Sequence, residues 1–402
     1  MLDPYPGAAA PAPGRIAFSG RMTAAPSKRA RVARSVVVFS SCVLIALALV
    51  ASVPTASAHR LPRGRYLYIA ANGSLRVFRF GTWQPVARYS MPRTLDGVRG
   101  VDASPSGHSL FIAHGGDGGV HGRGRLLKWN LVTDTVAWDR SYPFGVDQLA
   151  ACSGKIYMPT GEQAAGAQWK TLRQSDGKVI GTLTGGGHPH NTICHHGRVY
   201  MGGRTSRYLF VKDLTNGTVR RVGPSPSRSP GVRPFTVNAA DTRAYITWTD
   251  YRGFSVANVK TGAVIASRRF GPVPSWFKPT APSHGISLSH DGSRVYVLDA
   301  PTHTIQVWTA TDRPAHLKTI SIPGPTGAET PCAYDCLKDG WVLTSITGRY
   351  VLVGDSGAVI DTRSNRVVAT IPGLAQNRHG YLEIDWAGGV PRATSTHFGI
   401  GR

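Results

Sequence analysis

SHGISLSHDGSRVYVLDAPTHTIQVWTATDRPAHLKTISIP, residues 283–323, holds four short β-rich runs separated by turn residues. The first run ends at Asp291-Gly292, a dipeptide suited to the positive-φ corner of a tight hairpin. Val295-Tyr296-Val297, Thr304 to Trp308 and Leu317 to Ile322 supply the next three strands. Four antiparallel strands in about 40 residues is the size of one propeller blade.

The same unit recurs at 97–114, 146–159, 189–203, 233–248 and 339–355, each time followed by two further strand-like runs. With the unit at 283 this makes six complete blades. Residues 65–91 hold three strands and lack the innermost one, whereas Arg378-His379-Gly380-Tyr381-Leu382 matches Ser283-His284-Gly285-Ile286-Ser287 and has the form of an orphan innermost strand. Joining the C-terminal strand near 379–386 to 65–91 gives an all-β, seven-bladed propeller closed by a shared blade. An open ring would leave two unpaired sheet edges, and the shared blade removes both.

The chain has 402 residues, 41% hydrophobic, with 47 Gly and 28 Pro, and carries 46 Lys+Arg against 22 Asp+Glu for a formal charge of +24. That apolar content excludes a disordered basic tail. Residues 1–58 read as a signal peptide: a basic Lys28 to Arg34 run, an apolar stretch from Val36 to Val53, and the small residues Ala56-Ser57-Ala58 before a cleavage point. Met22 is the more usual start for such a leader, which makes 1–21 an upstream extension. The apolar stretch also matches a short membrane span, so an uncleaved tether is the second reading. Removing the six basic residues and one acid of 1–58 leaves 40 against 21 in the exported body, 59–402.

Cysteine usage agrees with export. Cys42 belongs to the leader, and Cys152, Cys194, Cys332 and Cys336 remain. An even count in an oxidising compartment favours two disulfides. Cys332-Ala-Tyr-Asp-Cys336 closes locally, which pairs Cys152 with Cys194 by elimination. A metal or redox role for Cys332 and Cys336 fits less well, because the spacing is not the two-residue gap of redox motifs and no second such pair exists for zinc.

The blades resemble the YVTN-type repeats of bacterial exported seven-bladed propellers, which are related to WD-repeat, NHL and quinoprotein amine dehydrogenase-like propellers. The residues that carry the resemblance are the turn-Gly-x-x-Val-Tyr-Val core (Gly292 to Val297, Gly197 to Met201) and the turn before the last strand (Thr261-Gly262, Asn216-Gly217, Ser364-Asn365). It spans nearly all of 65–402. Such motifs specify a fold well and a function poorly. The chain has no haem-attachment Cys-x-x-Cys-His, no quinone-cofactor or lactonase signature, no Gly-x-Ser-x-Gly elbow, no Walker loop and no Asp-x-Asp-x-Asp-Gly calcium loop.

Innermost strands begin at the mouth of the central channel, so the residue just before each forms a ring with one member per blade. Counting back from the turn glycine or the strand-two aromatic gives His379, Arg99, Asp147, His190, Arg233, His284 and Gly340 or its neighbours. Three imidazoles and a carboxylate suit a transition metal such as Zn, Cu or Fe, with His190, His284, His379 and Asp147 as ligands and Asp147 as the candidate catalytic base. Arg99 and Arg233 oppose a cation and instead suit an anionic ligand. The plain alternative is a wet channel in which these groups only bond loop carbonyls and water. Trp276-Phe277, framed by prolines, is either an aromatic platform for a ligand or a plug between blades. The Gly-rich runs His114 to Arg125 and Gly161 to Gly166 are expected as hairpin tips at the mouth. His195-His196 is expected as a solvated turn on the far side.

Two functions follow. One is an exported, monomeric binding protein that holds an acidic small molecule or an anionic cell-envelope polymer on the channel-mouth face, with nucleic acid a lesser option and the membrane reached only through the leader. The other is a metal-dependent oxidoreductase or lyase centred on the three histidines.

Overall fold

A computed structural model describes residues 61–395 apart from Leu95 and Ser229. The signal peptide expected at 1–58 lies outside the described residues. Among the described residues no helix is long and apolar enough to cross a membrane.

Seven antiparallel sheets make up the body. In blade 1 the C-terminal strand Tyr381–Ala387 pairs with Gly64–Ala71, with Tyr381 opposite Ile69 and Trp386 opposite Gly64. Ser74–Arg79 and Pro85–Ser90 continue the sheet outward. The ring therefore closes through a blade built from both ends of the described chain. Blades 2 to 7 follow in chain order, with innermost strands Val98–Ser104, Ala150–Cys152, Pro189–His195, Val232–Val237, Ile286–Leu288 and Trp341–Thr344. One strand was not expected: Val390–Thr394 folds back on the free side of Tyr381–Ala387, so blade 1 has five strands.

Strand position within a blade sets its pattern of side chains. Second strands are buried on both faces, as in Arg294–Asp299, because each sheet packs between two neighbours. The repeat aromatics Phe111, Tyr157, Tyr200, Tyr245 and Tyr296 fill those inter-blade layers. Some also tie one blade to the next: the Tyr200 hydroxyl donates to Asp241 at 2.9 Å and the Tyr245 hydroxyl to the Ala310 carbonyl at 2.9 Å. The outermost strands alternate instead, and Val136, Val179, Val219, Ile265, Leu317 and Val368 on them are exposed. Both disulfides form as the cysteine count implied. Cys152–Cys194 links the innermost strands of blades 3 and 4, and Cys332–Cys336 closes the loop between blades 6 and 7.

Candidate functional site

The counted ring converges at the channel mouth, and each of its ionisable side chains is buried. His190 opens the innermost strand of blade 4. Its Nδ1 lies 3.0 Å from Asp147 Oδ2 and 3.6 Å from Glu162 Oε2. Across the axis, His284 Nδ1 donates to the Gly340 carbonyl at 2.9 Å and lies 3.1 Å from Asp339 Oδ1. The two Nε2 atoms face each other at 3.3 Å. Trp341 packs edge-on against His284 and His379, with ring centroids 5.3 and 5.1 Å apart. Neither ring nitrogen of His379 has a hydrogen-bond partner among the described residues. Burial, followed by the guanidiniums of Arg99 and Arg378, holds His379 well below the ordinary histidine range, so it is neutral.

Arg99 and Arg233 are engaged by protein groups. Arg99 Nη2 donates to Glu162 Oε1 at 2.7 Å and its Nε lies 3.8 Å from Asp96. The Arg233 Nε donates to Thr249 at 3.0 Å, another nitrogen reaches Thr280, and Nη1 lies 3.9 Å from Glu162 Oε2. An anion entering the ring would compete with these partners.

Glu162, which the repeat count missed, is the hub. It sits in the hairpin between the second and third strands of blade 3 and dips over His190. Arg204 Nη1 is 2.9 Å from its other oxygen. Burial raises its carboxyl pKa, but Arg204, His190, Arg99 and Arg233 outweigh that and hold it well below the carboxylate range. Asp339, the neighbour of Gly340 that takes the seventh place, meets Arg378 Nε at 3.1 Å as well as His284. Arg378 also pairs with Asp355 and Glu329. Burial and Glu329 push Asp355 up to about 8, and burial pushes Asp96 up to about 7.

The loop closed by Cys332–Cys336 lies across the mouth. The Tyr334 ring stacks on the Arg99 guanidinium at 4.4 Å, Asp335 meets Arg204 at 3.4 Å, and Ala333 N donates to Asp96 at 3.0 Å. This cap therefore reaches over blades 2 and 4. The two Gly-rich runs pack against each other at Gly118, Gly119 and Gly161, while Val120, His121 and Arg123 of the first stay exposed. A Cβ on Gly119 would meet the Thr160 carbonyl at 2.4 Å, and one on Gly161 the Gly118 carbonyl at 2.4 Å. Glycine is required there because two loop backbones touch.

Two hollows open on the same face outside the cap. One, of 430 Å³ between blades 1 and 2, is lined by Arg76, Arg88 and Arg93 together with Asp96 and Glu329. Among the described residues neither Arg88 nor Arg93 forms an ion pair. The other, of 210 Å³, is walled by Trp276, Phe277, Lys278 and Lys338. The Trp-Phe pair divides its labour: Phe277 packs on the core of blades 6 and 7, while Trp276 is 61% exposed. On the far side His195 is not a free turn residue, since its Nδ1 lies 2.8 Å from the buried Asp241.

No protein-family model and no curated protein matches the chain. Solved structures match in fold. The β-propeller domain of Myceliophteria thermophila Cps50 (Swd1) is 12% identical with a TM-score of 0.51, over 74% of this chain and 96% of that one. Kluyveromyces lactis Hsv2 is 12% identical with a TM-score of 0.52, over 72% and 86%. A chain of the mitotic checkpoint complex is 12% identical with a TM-score of 0.54, over 72% and 80%. At such identity the likeness establishes the propeller fold, a scaffold commonly used for binding, and leaves the site to be argued from its own residues.

Proposed function

We propose that the chain is an exported, non-enzymatic propeller of the YVTN type that binds an acidic ligand or anionic envelope polymer on its channel-mouth face. The observation that carries this is the 430 Å³ hollow with Arg88 and Arg93 exposed and unpaired beside the half-buried Arg76. Guanidinium groups without carboxylate partners are free to take a carboxylate or phosphate in bidentate fashion. Arg99 and Arg233 lie under the cap with protein partners, so the anion-binding role moves from the ring to the rim. Trp276 beside Lys278 and Lys338 adds an aromatic platform on the same face. The two disulfides support an extracytoplasmic location. The second reading, a metal-dependent oxidoreductase or lyase, requires the 332–336 cap to leave the imidazoles and is the weaker on that ground.

The test is titration of a fluorescent polyphosphate against the exported body, followed by anisotropy at low and moderate salt. R88E/R93E should weaken binding by roughly tenfold or more, since two cation–anion contacts are reversed in sign. K318E/R366E, on the outermost strands of blades 6 and 7, should bind like the parent. Equal weakening in both variants would show non-specific charge attraction and remove the assigned site.

A further inference from the structure

The hydrogen-bond partners of His190 and His284 decide their tautomers. A carbonyl oxygen can only accept, so His284 Nδ1, bonded to Gly340 O at 2.9 Å, carries the proton. His190 Nδ1 faces carboxylate oxygens of Asp147 and Glu162 and carries its proton too. With each Nδ1 carrying a proton, the two rings turn their Nε2 atoms toward each other at 3.3 Å in a buried site. Two lone pairs at that distance repel unless a positive species, a proton or a metal ion, lies between them, and metal binding by the parent decides between the two. Two imidazole nitrogens, each about 2.0–2.1 Å from one tetrahedral ion, are about 3.3–3.4 Å apart.

We propose that the channel binds one divalent transition-metal ion between His190 Nε2 and His284 Nε2. Asp147 and Asp339 are then the carboxylates that orient His190 and His284 through Nδ1. Asp147, expected as a ligand or base, becomes a positioning residue. Imidazole ligands favour a borderline ion such as Zn²⁺ over a hard one such as Mg²⁺. Binding here is separate from the rim hollow, and each could hold without the other.

The experiment uses the whole exported body after chelation, with Co²⁺ as a spectroscopic probe and Zn²⁺ as competitor. Roughly one equivalent of Co²⁺ should bind with the ligand-field bands of a nitrogen-rich tetrahedral site, and Zn²⁺ should abolish them. H190A and H284A should each weaken binding by roughly 100-fold or more, while H195A/H196A, at a separate histidine–aspartate cluster, should not change it. D147N should weaken binding roughly 10- to 100-fold and keep the band shape, as expected of an orienting carboxylate. A changed band shape in D147N would place the ion among Asp147, Glu162 and His190 Nδ1 and overturn the assignment. So would less than about a tenth of an equivalent bound by the parent, whose folding needs no variant to be judged.

Discussion

Glu162→Gln isolates the charge at the hub of the channel. The substitution keeps volume and shape and removes the one carboxylate that Arg99 meets at 2.7 Å and Arg204 at 2.9 Å. Arg204 is partly exposed and keeps Asp335. Arg99 has nowhere to go: its side chain is 2% exposed, and its remaining acid, Asp96, is 3.8 Å away with its carboxyl pushed up to about 7. Removing one partner of a buried pair leaves an uncompensated charge, at about 3–5 kcal/mol. With unfolding entropy near 2.1 cal/mol/K per residue, a body of this size loses about 4–7 °C in Tm for that amount. The pH dependence has a definite sign. Because the folded carboxyl is held below 4.5, its contribution is complete above that value and lost as pH falls through the lower folded pKa. Scanning calorimetry between pH 3 and 7 should show the gap between parent and E162Q closing towards the acid end. A second variant, R99M/E162L, removes the stranded guanidinium with its acid and should recover part of the loss. If E162Q costs under about 1 kcal/mol at pH 7, or the double change is worse than the single one, the hub is not electrostatic.

Three further outcomes follow from the same geometry. The Cys152–Cys194 bond spans 42 positions and Cys332–Cys336 only 4, so loop entropy assigns them about 4 and about 2 kcal/mol; denaturant titration of the two double-Ser variants should rank them in that order, and the reverse order would contradict it. Asp96 and Glu383 are pushed up to about 7 and Asp355 to about 8, so the stability tied to their neutral forms is complete below about pH 4 and lost as pH rises through 7 to 8; D355N should flatten that alkaline decline in Tm, and an unchanged slope would count against the burial of Asp355. Deleting 379–402 removes the strand that buries Tyr381, Leu382, Ile384 and Trp386, worth roughly 6–12 kcal/mol in transfer alone; a truncated chain that still melts cooperatively near the parent Tm would disprove closure through blade 1.

What could be read in the chain was whatever the repeat period controls. The distance from the strand-two aromatic back to the channel mouth is the length of one hairpin, so His284, Arg99 and Arg233 could be located by counting twelve residues, and His379 by its Arg-His-Gly match. The ring members converge because each innermost strand starts at the same height. Residues supplied by connections of unequal length obey no such count. Glu162 lies in a hairpin of blade 3, Arg204 follows the second strand of blade 4, and the cap at 332–336 belongs to a long inter-blade loop. One signal was present: Glu162 is a lone acid in a Gly-rich loop of a chain with twice as many bases as acids. The Arg76, Arg88 and Arg93 cluster was hidden for another reason, since its members lie on different strands and a connecting loop and meet only through sheet pairing, Arg76 opposite Arg88.

The cap resolves a conflict inside the counted ring. Histidines suited to a cation and arginines suited to an anion stand at one level of the channel, and in an open mouth they would work against each other. Here the guanidiniums meet carboxylates: Glu162 takes Arg99 and Arg204, while Asp339 and Glu329 pair with Arg378. Arg233 is turned towards Thr249 and Thr280. The imidazoles are left to face one another. Tyr334 then stacks on Arg99, and among the described residues Arg88 and Arg93 leave unpaired positive charge at the rim. One face thus carries two chemistries at two depths, and the variants that separate them are R88E/R93E for the rim and H190A for the channel.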